Sequence, residues 1–178
     1  MGGDERLRLF LALRLPDDVL DEIEAWQRSE LPGVRILPGD HLHVTLAFLG
    51  HRPAEEIDAI GGALRDAASG AGEIRLTPVR YLETRSVGML VLDDAGGHAT
   101  ALAEDVQSRL EGLGLYERER RPWLPHLTVA RWRERPGLRP APPPGRTFVP
   151  SDAAAYVSRL HAAGARYAVL KSVALGGE

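Results

Sequence analysis

The chain has 178 residues, 44% of them hydrophobic, a net charge of −3 and no cysteine. That length suits one well-packed domain with room for two lobes, and no apolar run approaches the ~20 residues of a membrane helix. The charge excludes a general polyanion binder, and the lack of cysteine excludes disulfides, thiolate nucleophiles and zinc–thiolate sites.

The first residues, Met1 to Arg6, are charged and carry no signal-peptide core, so a cytoplasmic enzyme is expected. Residues 6–15 alternate and then become continuously apolar, as a central strand does. Pro16-Asp17-Asp18 opens a helix running to about Ser29, with Val19, Leu20, Ile23 and Trp26 on one face. A short strand over 34–37 and a turn at Pro38-Gly39-Asp40 lead into a strand over 41–50. Pro53 and Glu55-Glu56 start a second helix with Ile57, Ile60, Leu64 and Ala68 as its stripe. Gly61-Gly62 weakens its centre by roughly 1 kcal/mol per glycine. Residues 74–82 and 87–92 read as a hairpin about residues 83–86. Residues 98–113 form a third helix striped by Leu102, Val106 and Leu110. A strand over 124–131 follows, then a proline-rich surface loop over 135–145 that can form neither helix nor ladder. Strands over 155–160 and 167–175 flank the turn at Ala163-Gly164-Ala165. Three helices with hairpin-linked strands indicate an α+β fold with largely antiparallel sheets.

Two of these strands carry the chemistry. His43-Val44-Thr45-Leu46 and His126-Leu127-Thr128-Val129 repeat the pattern His-x-Thr-x, 83 residues apart (126 − 43), in a chain with six histidines. In a strand, residues two apart share a face, so each copy presents an imidazole beside a hydroxyl. A duplicated, two-lobed protein with both strands on one cleft would give this pattern. By the same alternation Phe48 falls away from His43, into the core. Arg131 falls opposite His126, so it reaches the cleft only if the strand twists or ends there; a solvated arginine is the equal alternative.

With their surroundings these residues resemble the two-histidine (2H) phosphoesterase superfamily, specifically the bacterial and archaeal RNA 2′,3′-cyclic phosphodiesterases historically called 2′-5′ RNA ligases. The likeness covers almost the whole chain: residues 6–16 resemble the opening strand, 42–50 and 125–131 the two motifs, and 158–160 with 164–167 the closing strands. It departs at His41, where asparagine is frequent, and at Val34-Arg35-Ile36, where an aromatic often follows the arginine; both fall at the rim. The resemblance implies a single bilobal domain over 1–178, with two pseudo-symmetric lobes around a central cleft and helices outside. It also implies hydrolysis of RNA 2′,3′-cyclic phosphate ends to 2′-phosphates, with RNA ends or cyclic nucleotides as partners. Thr45, Thr128 and Arg131 are then substrate-binding, while His126 acts as base and His43 as acid, a direction the symmetric motifs do not fix by themselves.

The chemistry asks for no cofactor and no metal. Histidine, with a pKa of ~6.5, can be neutral on one side of a phosphate and protonated on the other near neutral pH. The reverse reaction would join a cyclic end to a 5′-hydroxyl as a weak 2′-5′ ligation without ATP. A lysyl-nucleotide ligase is improbable, because Lys171 is the one lysine and is expected to lie buried in a strand. His41 and His43 form His-x-His, which leaves a metal-dependent hydrolase as a minor alternative. Two others are a non-catalytic nucleotide-binding module and the same chemistry on a different cyclic or 2′-5′ nucleotide. Arg118, Arg120 and Arg121, interleaved with Glu117 and Glu119, read as a solvated charge run, and Trp123 as either a base-stacking or a packing residue. A monomer without membrane attachment is expected.

Overall fold

The structure is a computed structural model and describes residues 5–176; the expectation for the first four residues lies outside it. Among the described residues eight strands and three α-helices are found, and the strands form two antiparallel four-stranded sheets. The strands are β1 (Arg6–Arg14), β2 (Arg35–Ile36), β3 (His43–Pro53), β4 (Leu76–Glu83), β5 (Val87–Asp94), β6 (His126–Arg131), β7 (Asp152–His161) and β8 (Gly164–Val173). One sheet has the order β3-β1-β7-β8 and the other β2-β6-β5-β4. The three α-helices are α1 (Asp17–Glu30), α2 (Ile57–Ser69) and α3 (His98–Gly112). The α+β, antiparallel expectation and the hairpin about residues 83–86 are met.

Each half of the chain contributes a strand, a helix and a motif strand that pairs with the first: β1-α1-β3 and β5-α3-β6. The helices cross over between halves. Helix α1 follows β1 of the first sheet but binds the second, through Gln27 to β6 and the ring of Trp26 against Tyr81 of β4. Helix α3 follows β5 of the second sheet but binds β3 of the first through Gln107. One apolar core runs through both sheets, from Leu9, Leu11 and Leu13 to Leu90, Leu127 and Val129. Because the first helix of each half packs on the other half, neither sheet buries its inner face alone.

Local chemistry explains most boundaries. Asp94, ending β5, accepts hydrogen bonds from the Ala99 and Thr100 amides (3.1 and 2.8 Å) and so caps α3. Gly61 does not break α2; a Cβ there would lie 3.3 Å from Lys171 Cγ, so glycine admits the close approach of β8. The expected strand over 34–37 shrinks to two ladder residues, because Pro38 ends the pairing and a 3-10 turn (Gly39–His41) replaces it. Lys171 is corrected from buried to half-exposed: it lies over α2, 3.2 Å from Asp58, and lines neither cleft cavity.

The proline-rich segment is a loop, as expected, but a tethered one. Trp26 Nε1 donates to the Ala141 carbonyl (2.9 Å), and Arg146 pairs with Asp18 and Glu22 of α1. The Glu83 side chain, 3% exposed, accepts from the Gly137 and Leu138 amides (2.9 and 3.0 Å) and from Tyr81 Oη (2.7 Å).

Candidate active site

The two motifs open β3 and β6, which lie against each other between the sheets. Their burial runs in parallel. In both, a half-buried histidine is followed by a buried residue, a half-buried threonine, two buried residues and an exposed one. Strict alternation would send that sixth residue, Phe48 or Arg131, to the side opposite the histidine. Both strands break alternation at the same place. Thr45 pairs with Ala12 and Ala47 with Leu11, which leaves Leu46 without a partner. Thr128 pairs with Met89 and Ala130 with Gly88, which leaves Val129 without one. A bulge of one residue re-aims the side chains beyond it. Phe48 and Arg131 thereby return to the face of the histidines and threonines.

This corrects the reading of Phe48 as core. It is 49% exposed and lines the cleft, with the Arg8 guanidinium 5.0 Å above its ring. Of the two readings of Arg131, the structure gives the cleft. A cavity of about 190 Å³ is lined by His43, Thr45, His126, Thr128 and Arg131, so the five residues singled out from the sequence meet in one place. It shares Phe48, Arg131 and Tyr167 with a neighbouring cavity of about 360 Å³, which Arg8 and Arg35 also line. Among the described residues, no carboxylate lines either one.

The rest of the wall is aromatic. Phe10 stacks on His43 (centroids 4.8 Å), Tyr156 (4.9 Å) and Phe48 (5.9 Å), while Tyr167 stacks on His41 (4.4 Å). These rings bury His43 and deny its charged form water. Burial above all, helped by the nearby His41, His126 and Arg131 and opposed by a hydrogen bond to the His41 backbone, pushes the His43 pKa down to about 4. The Nδ1 of His126 lies 2.8 Å from the Leu124 carbonyl. A carbonyl only accepts, so Nδ1 carries the hydrogen and Nε2 is the nitrogen left for chemistry.

The sequence did not single out Phe10, Arg8 or Tyr167, and it marked Arg35 only as part of a departure at the rim. A signal existed in β1 and β7: Phe10, Ala12, Ala154 and Tyr156 form a second small cluster, and aromatics alternating with alanine mark a face that packs rings. Trp123 resolves as a packing residue whose Nε1 donates to the Thr45 carbonyl (3.0 Å). Arg118 is engaged with Glu111 (2.7 Å) and Ser108 of α3, and Arg121 lies 3.8 Å from Glu119, so the basic run is solvated surface. His41 belongs to the 3-10 turn and not to β3, and among the described residues no three His, Cys, Asp or Glu side chains are grouped to hold a metal. Among those residues, no helix is long and apolar enough to cross a membrane.

An enclosed pair of imidazoles, two hydroxyls and a guanidinium on one small cavity suits an anionic tetrahedral group flanked by acid and base. Known proteins share the arrangement's scaffold. The RNA 2′,3′-cyclic phosphodiesterase of Thermus thermophilus is 32% identical over 184 residues, 97% of this chain and 92% of that protein. The Escherichia coli protein of the same name is 28% identical over 96% of this chain and 98% of its own. Among solved structures, TT0787 of Thermus thermophilus superposes with a TM-score of 0.83 at 28% identity, covering 97% of this chain and all of that one. E. coli LigT complexed with 3′-AMP gives 0.84 at 27% identity, covering 96% of this chain and 99% of that one. A sequence model of the 2′-5′ RNA ligase superfamily matches residues 15–162, and with that match over most of its length the chain belongs to this superfamily of enzymes.

Proposed function

We propose that this protein hydrolyses RNA 2′,3′-cyclic phosphate ends to 2′-phosphates without a metal. The observation that carries the reading is the convergence of two symmetry-related His–Thr pairs on one cavity that no carboxylate of the described residues lines. The names of the E. coli and Thermus thermophilus relatives support the reaction. Support for an RNA end as substrate comes from the adjoining cavity, where three guanidiniums and the rings of Phe48 and Tyr167 offer partners for phosphates and bases.

In this reading Nε2 of His126 takes a proton from water as the oxygen attacks phosphorus. The bond from phosphorus to the 3′ oxygen breaks, and His43 gives that oxygen its proton. The phosphate stays on the 2′ oxygen, leaving His126 protonated and His43 neutral until solvent exchanges both. The Thr45 and Thr128 hydroxyls and the Arg131 guanidinium donate to the non-bridging oxygens, whose charge must be held through the transition state. His43 is neutral in the empty site at pH 7, so its proton arrives with the substrate: the anion supplies the counter-charge that burial alone lacks. The same groups run backwards would join a cyclic end to a 5′-hydroxyl, a minor reaction because water is abundant and RNA ends are dilute. We place the protein in the cytoplasm as a monomeric, single bilobal domain.

The test is digestion of an oligonucleotide ending in a 2′,3′-cyclic phosphate in the presence of EDTA, with the product isomer read by phosphorus NMR. A 2′-phosphate is expected, and His43→Ala and His126→Ala should each abolish turnover. A requirement for added metal, or a single mutant with near-normal rate, would overturn the scheme.

A further inference from the structure

Two glutamines are buried where the helices meet the motif strands. Gln27 of α1 is 0% exposed and Gln107 of α3 is 7% exposed. Nε2 of Gln107 donates to the Leu46 carbonyl (2.9 Å), and Nε2 of Gln27 donates to the carbonyls of Val129 (2.9 Å) and Leu37 (3.0 Å). Leu46 and Val129 are the motif-strand residues that the bulges leave without a partner in β1 and β5, respectively. Each glutamine therefore binds the fourth residue of a motif, and each belongs to the half of the chain that does not contain that motif. Gln27 and Gln107 stand 80 residues apart (107 − 27), close to the 83 of the motifs, so the contact recurs between the halves as the motifs do.

A buried amide is an expensive way to fill space when an apolar side chain would do, and Gln27 Oε1 has no donor among the described residues. What the amide supplies is an N–H aimed at the bulge carbonyl. The N–H ties the bulge to a helix of the other half; at Val129 it joins the Leu37 amide, which donates to the same carbonyl (3.0 Å). Without that tie the strand is free to return to a regular ladder with β1 or β5, and regularisation restores strict alternation. Arg131 or Phe48 would then turn away from the cleft.

We infer that Gln27 and Gln107 are positioning residues: each locks the bulge of the opposite half's motif strand, and thereby holds Arg131 and Phe48, respectively, on the catalytic face. The kinetic side of this rests on the proposed cyclic phosphodiesterase reaction; the structural side does not.

Two measurements on Gln27→Met and Gln107→Met, which keep length and lose the N–H, test it. The first reads the β-register by cross-strand NOEs. Gln27→Met should bring Val129 into the ladder with β5 and leave Leu46 as it was; Gln107→Met should do the converse. Both bulges persisting in both variants would overturn the inference whatever the enzyme does. The second is a set of double-mutant cycles in kcat/KM for 2′,3′-cyclic AMP, with 3′-AMP binding as a parallel readout. Each Met variant should lose about tenfold, the cost of one lost buried hydrogen bond. Gln27→Met should add little to Arg131→Ala but multiply with Phe48→Ala, and Gln107→Met should show the opposite pairing. A merely structural role predicts that all four pairs multiply, which would refute the assignment. If a Met variant does not fold by urea titration, Gln→Asn, whose amide falls short of the carbonyl, is expected to give the same register change and coupling pattern. Loss of that pattern with wild-type turnover intact counts against the latch alone; wild-type failure on cyclic AMP with the register changes present counts against the reaction alone.

Discussion

His43 is a titratable group held neutral by its surroundings, so acidification should act on it in a defined window. Its pKa lies near 4 in the folded protein, first because the ring is buried and then because His41, His126 and Arg131 lie close, against ~6.5 in an unfolded chain. A lowered histidine pKa means the unfolded state binds the proton first. The stability it affects is therefore complete above pH 6.5, falls as pH drops from 6.5 to 4, and levels off below. Linkage gives a loss of about 2 kcal/mol by pH 5 and about 3 kcal/mol by pH 4. These are upper figures, because one edge of the ring reaches the cleft. Replacing His43 by Gln removes the titration, so urea midpoints of the two proteins should converge towards pH 5 and diverge above pH 6.5 relative to their acid values. Histidine Cε1 proton shifts provide the direct check, and adding 3′-AMP should move the His43 titration upwards as the phosphate supplies negative charge. A His43 that titrates at 6.5 in the free protein, or a wild-type-minus-mutant difference independent of pH between 4 and 6.5, would refute the reasoning.

The acid and base roles separate with a cyclic substrate bearing sulfur in place of the 3′ oxygen. A thiolate leaves without help, so this substrate should restore turnover to His43→Ala but not to His126→Ala; rescue of the His126 variant would reverse the assignment. Thr45→Val and Thr128→Val each remove one neutral donor and should slow turnover by no more than about 3 kcal/mol, less than either histidine change, in steady-state rates; two fully active valine variants would leave the threonines as strand formers only. Away from the cleft, burial pushes the Glu83 carboxyl up, but hydrogen bonds from Tyr81, Leu138, Gly137 and Arg135 outweigh it and hold its pKa below the usual range. Glu83→Gln should cost about 1–3 kcal/mol in urea unfolding and open residues 135–145 to protease, with wild-type proteolysis rates as the contrary result.

The elements were legible in the sequence because they depend on local periodicity: the stripes of α1, α2 and α3, and the apolar alternation of β3 and β6, need no partner to be read. The pairing of His43 with His126 was legible because the motif is repeated. The side of the strand taken by Phe48 and Arg131 was not, since alternation assumes a continuous ladder and a bulge exists only relative to the strand opposite. Nor did periodicity reveal which helix served which sheet, because α1 and α3 exchange halves.

Yet the bulge left a trace. Aligned on their histidines, the two segments read His43-Val44-Thr45-Leu46-Ala47-Phe48 and His126-Leu127-Thr128-Val129-Ala130-Arg131, with alanine fifth in both. A regular strand whose first and third residues face the cleft would turn its fifth there too, and a small apolar residue is a poor choice beside a phosphate. Both alanines are instead buried, 2% exposed at Ala47 and 0% at Ala130, next to the bulged Leu46 and Val129. Two consecutive inward residues leave space for little more than a methyl group on the second. Gln27 and Gln107 are the matching trace in the helices: each stands four residues after a buried apolar residue, Ile23 and Ala103, at a position where the stripe calls for an apolar side chain. A polar residue on the buried stripe of one helix and a broken alternation in a strand are each ambiguous alone. Occurring twice, at matching spacing in the two halves of the chain, they mark where a helix of one half takes hold of the strand of the other.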